Sequence, residues 1–149
     1  MQKVLDNIEN LVEDGGNFRM LVTGYSMLPL LGYGRDHIIV RRIDHSENIV
    51  GRIAMFRTTD RRIIVHRVVG IEGDKAIFKG DGNIYQTEEC LRSDVIGVVD
   101  SVIRQNGREV SCTTRLWRLR ERIWLMQPLI IRRYALGIMR RWLNFKRRK

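Results

Sequence analysis

Two hydrophobic periods divide the chain. At its start Val4, Ile8, Leu11 and Val12 recur at helical spacing until Gly15-Gly16 interrupts them, which predicts a short amphipathic helix over residues 2–14. From Phe18 to about Cys112 the apolar runs shorten to strand length: FRMLVTG, HIIVRRI, RIAMF, RIIVHRVVGI, KAIFKG and VIGVVDSVI, all rich in Val and Ile. Turn signals separate them at Gly34-Arg35-Asp36, Glu72-Gly73-Asp74 and Gly80-Asp81-Gly82-Asn83, and Asn106-Gly107 marks a hairpin between SVIRQ and REVSC. This pattern predicts a mainly β, compact antiparallel domain, barrel-like or a folded sheet. Helical spacing then returns. Leu116, Leu119, Ile123 and Met126 step by three and four. Pro128 suits the first turn of a second helix, along which Ile131, Ala135, Ile138, Trp142 and Phe145 share a face. The expected organisation is a β domain over residues 1–114 and a helical tail over residues 115–149.

Charge sharpens that division. The 149 residues carry a net +10, with 44% apolar and 30% charged residues, a globular composition. Residues 1–114 hold 15 Lys and Arg against 16 Asp and Glu, whereas residues 115–149 hold 12 against a single acid, Glu121. A uniformly basic nucleic-acid-binding domain does not divide this way, and no nucleic-acid reader motif is present, so a nucleic-acid partner is not expected. Two cysteines, Cys90 and Cys112, exclude a disulfide framework and a cysteine-built zinc site. His37, His45 and His66 are scattered without ligand spacing, so neither metal nor cofactor is expected. The N-terminus lacks the apolar core of a secretory signal. The longest nearly apolar run, Ile123–Ile131, falls short of the roughly 20 residues a membrane span needs. The expected location is therefore the cytoplasm or the periphery of a membrane.

Three local features can carry chemistry. Ser26, in Gly24-Tyr25-Ser26-Met27-Leu28-Pro29, follows a predicted strand and a glycine turn; by itself it reads as a turn serine bonding its own backbone. His66 lies inside RIIVHRVVGI, where period two places it with Ile64 and Val68 on one face, and Val65, Arg67 and Val69 on the other. By itself it reads as a core histidine with a hydrogen-bond partner. Lys79-Gly80-Asp81-Gly82-Asn83 has the residues of a type I′ or similar turn and lacks the Lys-Ser/Thr ending of a phosphate loop.

Together, Ser-Met-x-Pro, Val-His-Arg-Val-Val and Lys-Gly-Asp-x-Asn in this order resemble the type I signal peptidases and their LexA-like self-cleaving relatives, over about residues 18–100. Gly51-Arg52-Ile53-Ala54-Met55-Phe56 resembles the family's Gly-Asp-Ile-Val-x-Phe strand, with Arg52 in place of the acid, and Asp94–Val99 resembles its closing strand. The base position, lysine in typical bacterial members, is His66 here, as in the archaeal and endoplasmic-reticulum type.

The resemblance implies Ser26 as nucleophile and His66 as general base. Serine is a poor nucleophile until a neighbour takes its proton, and histidine's ordinary pKa near 6.5 suits that task at neutral pH. Asp81 matches the family's aspartate and is the first choice to orient His66. The further acid of histidine-type relatives falls at Thr87, which makes Glu88 the second choice after a one-residue shift; Glu88 and Glu89 read equally as solvated loop acids. The Ser26 N–H is the expected oxyanion donor. Gly24 stands where some relatives add a hydroxyl. Met27 and Pro29 are expected to line the substrate cleft.

The implied activity is a serine endopeptidase removing a leader or signal from a peptide or precursor protein. The alternatives are a silent relative that binds peptides or a membrane protein, and a LexA-like self-cleaving regulator. No membrane anchor of the family's usual kind is expected before Ser26. In its place, Trp117, Trp124, Trp142, Arg140 and Arg141 are expected to put the tail on an anionic membrane surface, with packing on the β body or a partner as the alternative.

Overall fold

The computed structural model describes residues 16–44 and 46–148. The helix expected over residues 2–14, and His45, lie outside the described residues. The remaining segments fold as the period-two pattern predicts, into one antiparallel sheet of eight strands: β1 (Phe18–Leu21), β2 (His37–Arg41), β3 (Ile53–Arg57), β4 (Ile63–Glu72), β5 (Lys75–Lys79), β6 (Thr87–Leu91), β7 (Val95–Ile103) and β8 (Glu109–Ser111). Their order is β1-β2-β7-β3-β4-β5-β6, with β8 paired to β7. The Asn106-Gly107 signal forms the β7–β8 hairpin, where Gly107 takes a positive φ of 79°.

One strand was not foreseen. Thr87–Leu91 reads as polar, yet it pairs with β5, setting Glu88 opposite Phe78 and Cys90 opposite Ala76. Alternation then turns Glu88 and Cys90 inward and leaves Thr87, Glu89 and Leu91 exposed.

The strands bury residues on both faces. Ile38, Val40, Ile53, Met55, Val99 and Val102 join one cluster, into which Trp117 inserts from the tail. Ala54, Phe56, Val68, Ala76, Phe78 and Val98 join the other, where the Phe56 and Phe78 rings stack at 3.7 Å. Cys90 and Cys112 are free and buried, and burial pushes each thiol up to about 12.

The tail forms two helices, α1 (Arg115–Met126) and α2 (Leu129–Arg147). Thr114 caps α1 by accepting from the Trp117 N–H, and Pro128 stands at the start of α2. Both helices lie against the body. Trp124 and Leu136 share a buried cluster with Leu28 and Ile84, which flank the Ser26 motif and the 80–83 turn. Expectation and structure part over which face of the tail is covered. Trp117 and Trp124, expected at a membrane surface, are buried, whereas Leu116, Leu119, Ile123 and Met126 are exposed. No helix among the described residues is long and apolar enough to cross a membrane.

Candidate active site

Ser26 stands on the loop after β1. Gly24, two residues earlier, has φ +126°, a conformation that side-chain-bearing residues rarely adopt. The backbone itself therefore disfavours a serine at that position. Thr23, its neighbour, lines the same cleft as Ser26. The loop is closed by Leu31 N–H donating to the Met27 carbonyl and Val22 N–H donating to the Asp36 carbonyl. Asp36 is fully buried; it accepts from the Gly32 N–H at 2.8 Å and pairs with Arg104, which also donates to the Leu30 carbonyl.

The turn at 80–83 is pressed against this loop. Gly82 N–H donates to the Ser26 carbonyl at 2.7 Å, and Asn83 N–H closes the turn on the Gly80 carbonyl at 3.0 Å. Neither Asp81 nor Gly82 has a positive φ, so this is not the type I′ turn its composition suggested. Its glycines serve close approach. A Cβ at Gly80 would lie 2.5 Å from the Ser26 carbonyl oxygen and 3.2 Å from His66 Nε2, and one at Gly82 would lie 2.5 Å from the Tyr25 carbonyl oxygen. The Ser26 carbonyl oxygen and His66 Nε2 thus both lie close to Gly80, and both residues line the same cleft.

His66 sits on β4 opposite Ala54 and is 4% exposed. Its Nδ1 lies 2.8 Å from Glu88 Oε2. A carboxylate only accepts, so this bond assigns a ring proton to Nδ1, with Nε2 on the Gly80 side. The carboxylate on the histidine is therefore Glu88, and the first choice, Asp81, is corrected. Parity is the reason. His66 and Arg67 are consecutive on a strand and point to opposite faces, and Asp81 lies on the Arg67 side.

Arg67 and Asp81 form a bidentate pair, Nε to Oδ1 at 2.8 Å and Nη2 to Oδ2 at 2.6 Å. Arg67 Nη1 also donates to the Gly51 carbonyl and, at 2.9 Å, to Glu121 of α1. Burial opposes the Arg67 charge, but the bonds and attraction of Asp81, then Glu121, outweigh it and raise the pKa above the ordinary value. The tail grips the backbone of the same turn. Trp124 Nε1 and Arg132 Nη2 both donate to the Asp81 carbonyl, at 3.1 and 3.0 Å, and Arg140 Nη2 donates to the Gly82 carbonyl at 2.9 Å. Arg140, expected at a membrane, is thus spent on the turn. Tyr25 donates to Asn144 on α2.

Sequence reasoning missed the roles of Arg67, Glu121 and Arg132. One signal was present: Glu121 is the single acid among the tail's cations. It lies one helical turn after Trp117, whose Nε1–H it accepts at 2.7 Å.

The cleft beside Ser26 and His66 has a volume of about 240 Å³. Met20, Val22, Met27, Ile38, Ile63 and Val65 give it an apolar wall. Met27 lines it, whereas Pro29, half-buried behind a cis bond to Leu28, does not. Two strand edges border it. β1 pairs only with β2, and residues 63–66 of β4 pair only with β3, so each has a side without a strand partner among the described residues. Compared with known proteins, the chain matches no family model and no curated sequence.

Proposed function

We propose that the protein is a serine endopeptidase of the signal-peptidase type that removes a leader or signal from a peptide or precursor protein. One observation carries this reading: Ser26 and His66 line one apolar cleft, with His66 Nδ1 held by Glu88 and Nε2 near Gly80, where the Ser26 carbonyl also lies. A substrate segment lies extended in the cleft, using the open edges of β1 and β4 for main-chain hydrogen bonds and the apolar wall for its side chains.

Nε2 takes the Ser26 hydroxyl proton as Oγ bonds to the scissile carbonyl carbon. Glu88 keeps the ring oriented and offsets the charge that the imidazolium gains. The Ser26 N–H stabilises the oxyanion. The C–N bond then breaks, Nε2 returns its proton to the leaving amine, and water attacks the ester by the same route reversed. Burial of His66 limits its motion, so the base is held before substrate arrives.

A fluorophosphonate probe tests the reading on the full chain. Covalent labelling of the wild type, abolished by Ser26→Ala and strongly reduced by His66→Ala, is expected. Labelling that survives Ser26→Ala, or a folded wild type that never labels, overturns it.

A further inference from the structure

We propose that the outward face of α1 and α2 docks flat on an anionic lipid bilayer, while the inward face of the same helices holds the 80–83 turn. Successive helical residues turn by about 100°, so the side opposite Trp117, Glu121 and Trp124 carries Leu116, Leu119, Ile123 and Met126. Each of these four is more than half exposed. On α2 the side opposite Arg132 and Leu136 carries Tyr134, Ile138, Trp142 and Phe145, again more than half exposed. A stripe of large apolar side chains thus runs along both helices, away from the body.

Arginines border the stripe. Arg118, Arg120 and Arg122 on α1 and Arg133 and Arg141 on α2 are exposed. The tail's single acid faces inward, bound to Arg67 and Trp117, so the outer surface has no negative side chain. Lys146 lies over the exposed Trp142 ring at 4.3 Å, which places a cation and an indole together, as at headgroup depth.

Charge selects the occupant. A second copy laid face to face would oppose arginine with arginine, and a nucleic acid would leave the apolar stripe without a partner. Anionic lipid meets both demands: headgroups take the arginines, and the acyl boundary takes the stripe. The membrane residues expected from sequence are accordingly revised. Trp142 and Arg141 stay, whereas Trp117 and Trp124 are buried and Arg140, though exposed, donates to the Gly82 carbonyl.

Vesicle flotation of the full chain tests this without reference to activity. Vesicles of phosphatidylcholine mixed with phosphatidylglycerol are expected to bind the protein at least about tenfold better than phosphatidylcholine alone, and high salt to weaken that binding severalfold. Ile138→Asp with Trp142→Ser should weaken it about tenfold or more while leaving the urea midpoint unchanged. Arg118→Gln with Arg122→Gln and Arg141→Gln, which alters no buried group, should also weaken it. Equal partition onto both vesicle types, no partition, or unchanged binding by both variants overturns the proposal. So does a concentration-dependent dimer in sedimentation that the Ile138/Trp142 variant abolishes, or retention of RNA in place of vesicles.

Discussion

Replacing Arg67 by methionine tests the buried network that joins the sheet, the 80–83 turn and the tail. The Asp81 side chain is 1% exposed and takes both its charged bonds from Arg67. Methionine fills much of the arginine's volume but leaves that carboxylate buried without a counter-charge, and leaves Glu121 with only the Trp117 indole. Breaking a buried pair in this way costs about 3–5 kcal/mol, a large share of the roughly 5–15 kcal/mol that holds a domain folded. With a urea m-value of about 2 kcal/mol per molar, the unfolding midpoint of Arg67→Met should fall by about 2 M. The second substitution decides the cause. Adding Asp81→Asn removes the stranded charge, so the double variant should regain about 1–3 kcal/mol relative to Arg67→Met. A loss below about 1 kcal/mol for Arg67→Met, or a double variant that loses the sum of both singles, would refute the claim that charge pairing holds this turn.

Four further outcomes follow from particular contacts. Glu88→Gln should lower peptidase or probe reactivity by about 10²–10⁴ with the fold intact, because the amide no longer fixes the Nδ1–H tautomer; Asp81→Asn should act mainly on the urea midpoint, and the reverse pattern would restore Asp81 to the histidine. Gly80→Ala should cost about 1–3 kcal/mol and suppress labelling of Ser26, since the new methyl meets the Ser26 carbonyl and His66 Nε2; unchanged labelling would mean the two loops yield freely. Trp124→Phe should cost about 1 kcal/mol through the lost bond to Asp81, measured by urea unfolding, and a neutral result would remove the indole from the brace. Cys90 and Cys112 should resist iodoacetamide at pH 8 until the chain unfolds, because burial raises each thiol from 9.0 to about 12. A raised folded value means their contribution to stability is full below about pH 9 and is lost as pH climbs toward 12; a Cys90→Ala/Cys112→Ala variant should lose less stability over that window than the wild type.

The elements were largely legible in the chain because each rests on local rules. Val- and Ile-rich runs between turn residues became strands, Asn106-Gly107 became a hairpin, and the tail's three-and-four spacing became two helices. Even the parity of His66 and Arg67 was readable, since alternation on a strand is a backbone property. The near neighbours of those side chains were not. TEECL shows no apolar alternation, so β6 appears only once β5 supplies its hydrogen-bond partner, and that pairing brings Glu88 to His66. Asp81 looked nearer by motif, yet strand geometry sent it to Arg67.

The tail shows the same boundary between local and tertiary causes. Its sequence determined that the helices are amphipathic and strongly basic, but two apolar stripes competed for the body: one of Trp117 and Trp124, the other of leucine, isoleucine and methionine. Tertiary structure decided between them. Only the tryptophan stripe carries Glu121 to meet Arg67 and indole and guanidinium donors to meet the carbonyls of the 80–83 turn. A buried arginine and the buried carbonyls of the 80–83 turn need partners that no apolar stripe supplies. Satisfying them fixed which face turned inward and left the other to solvent.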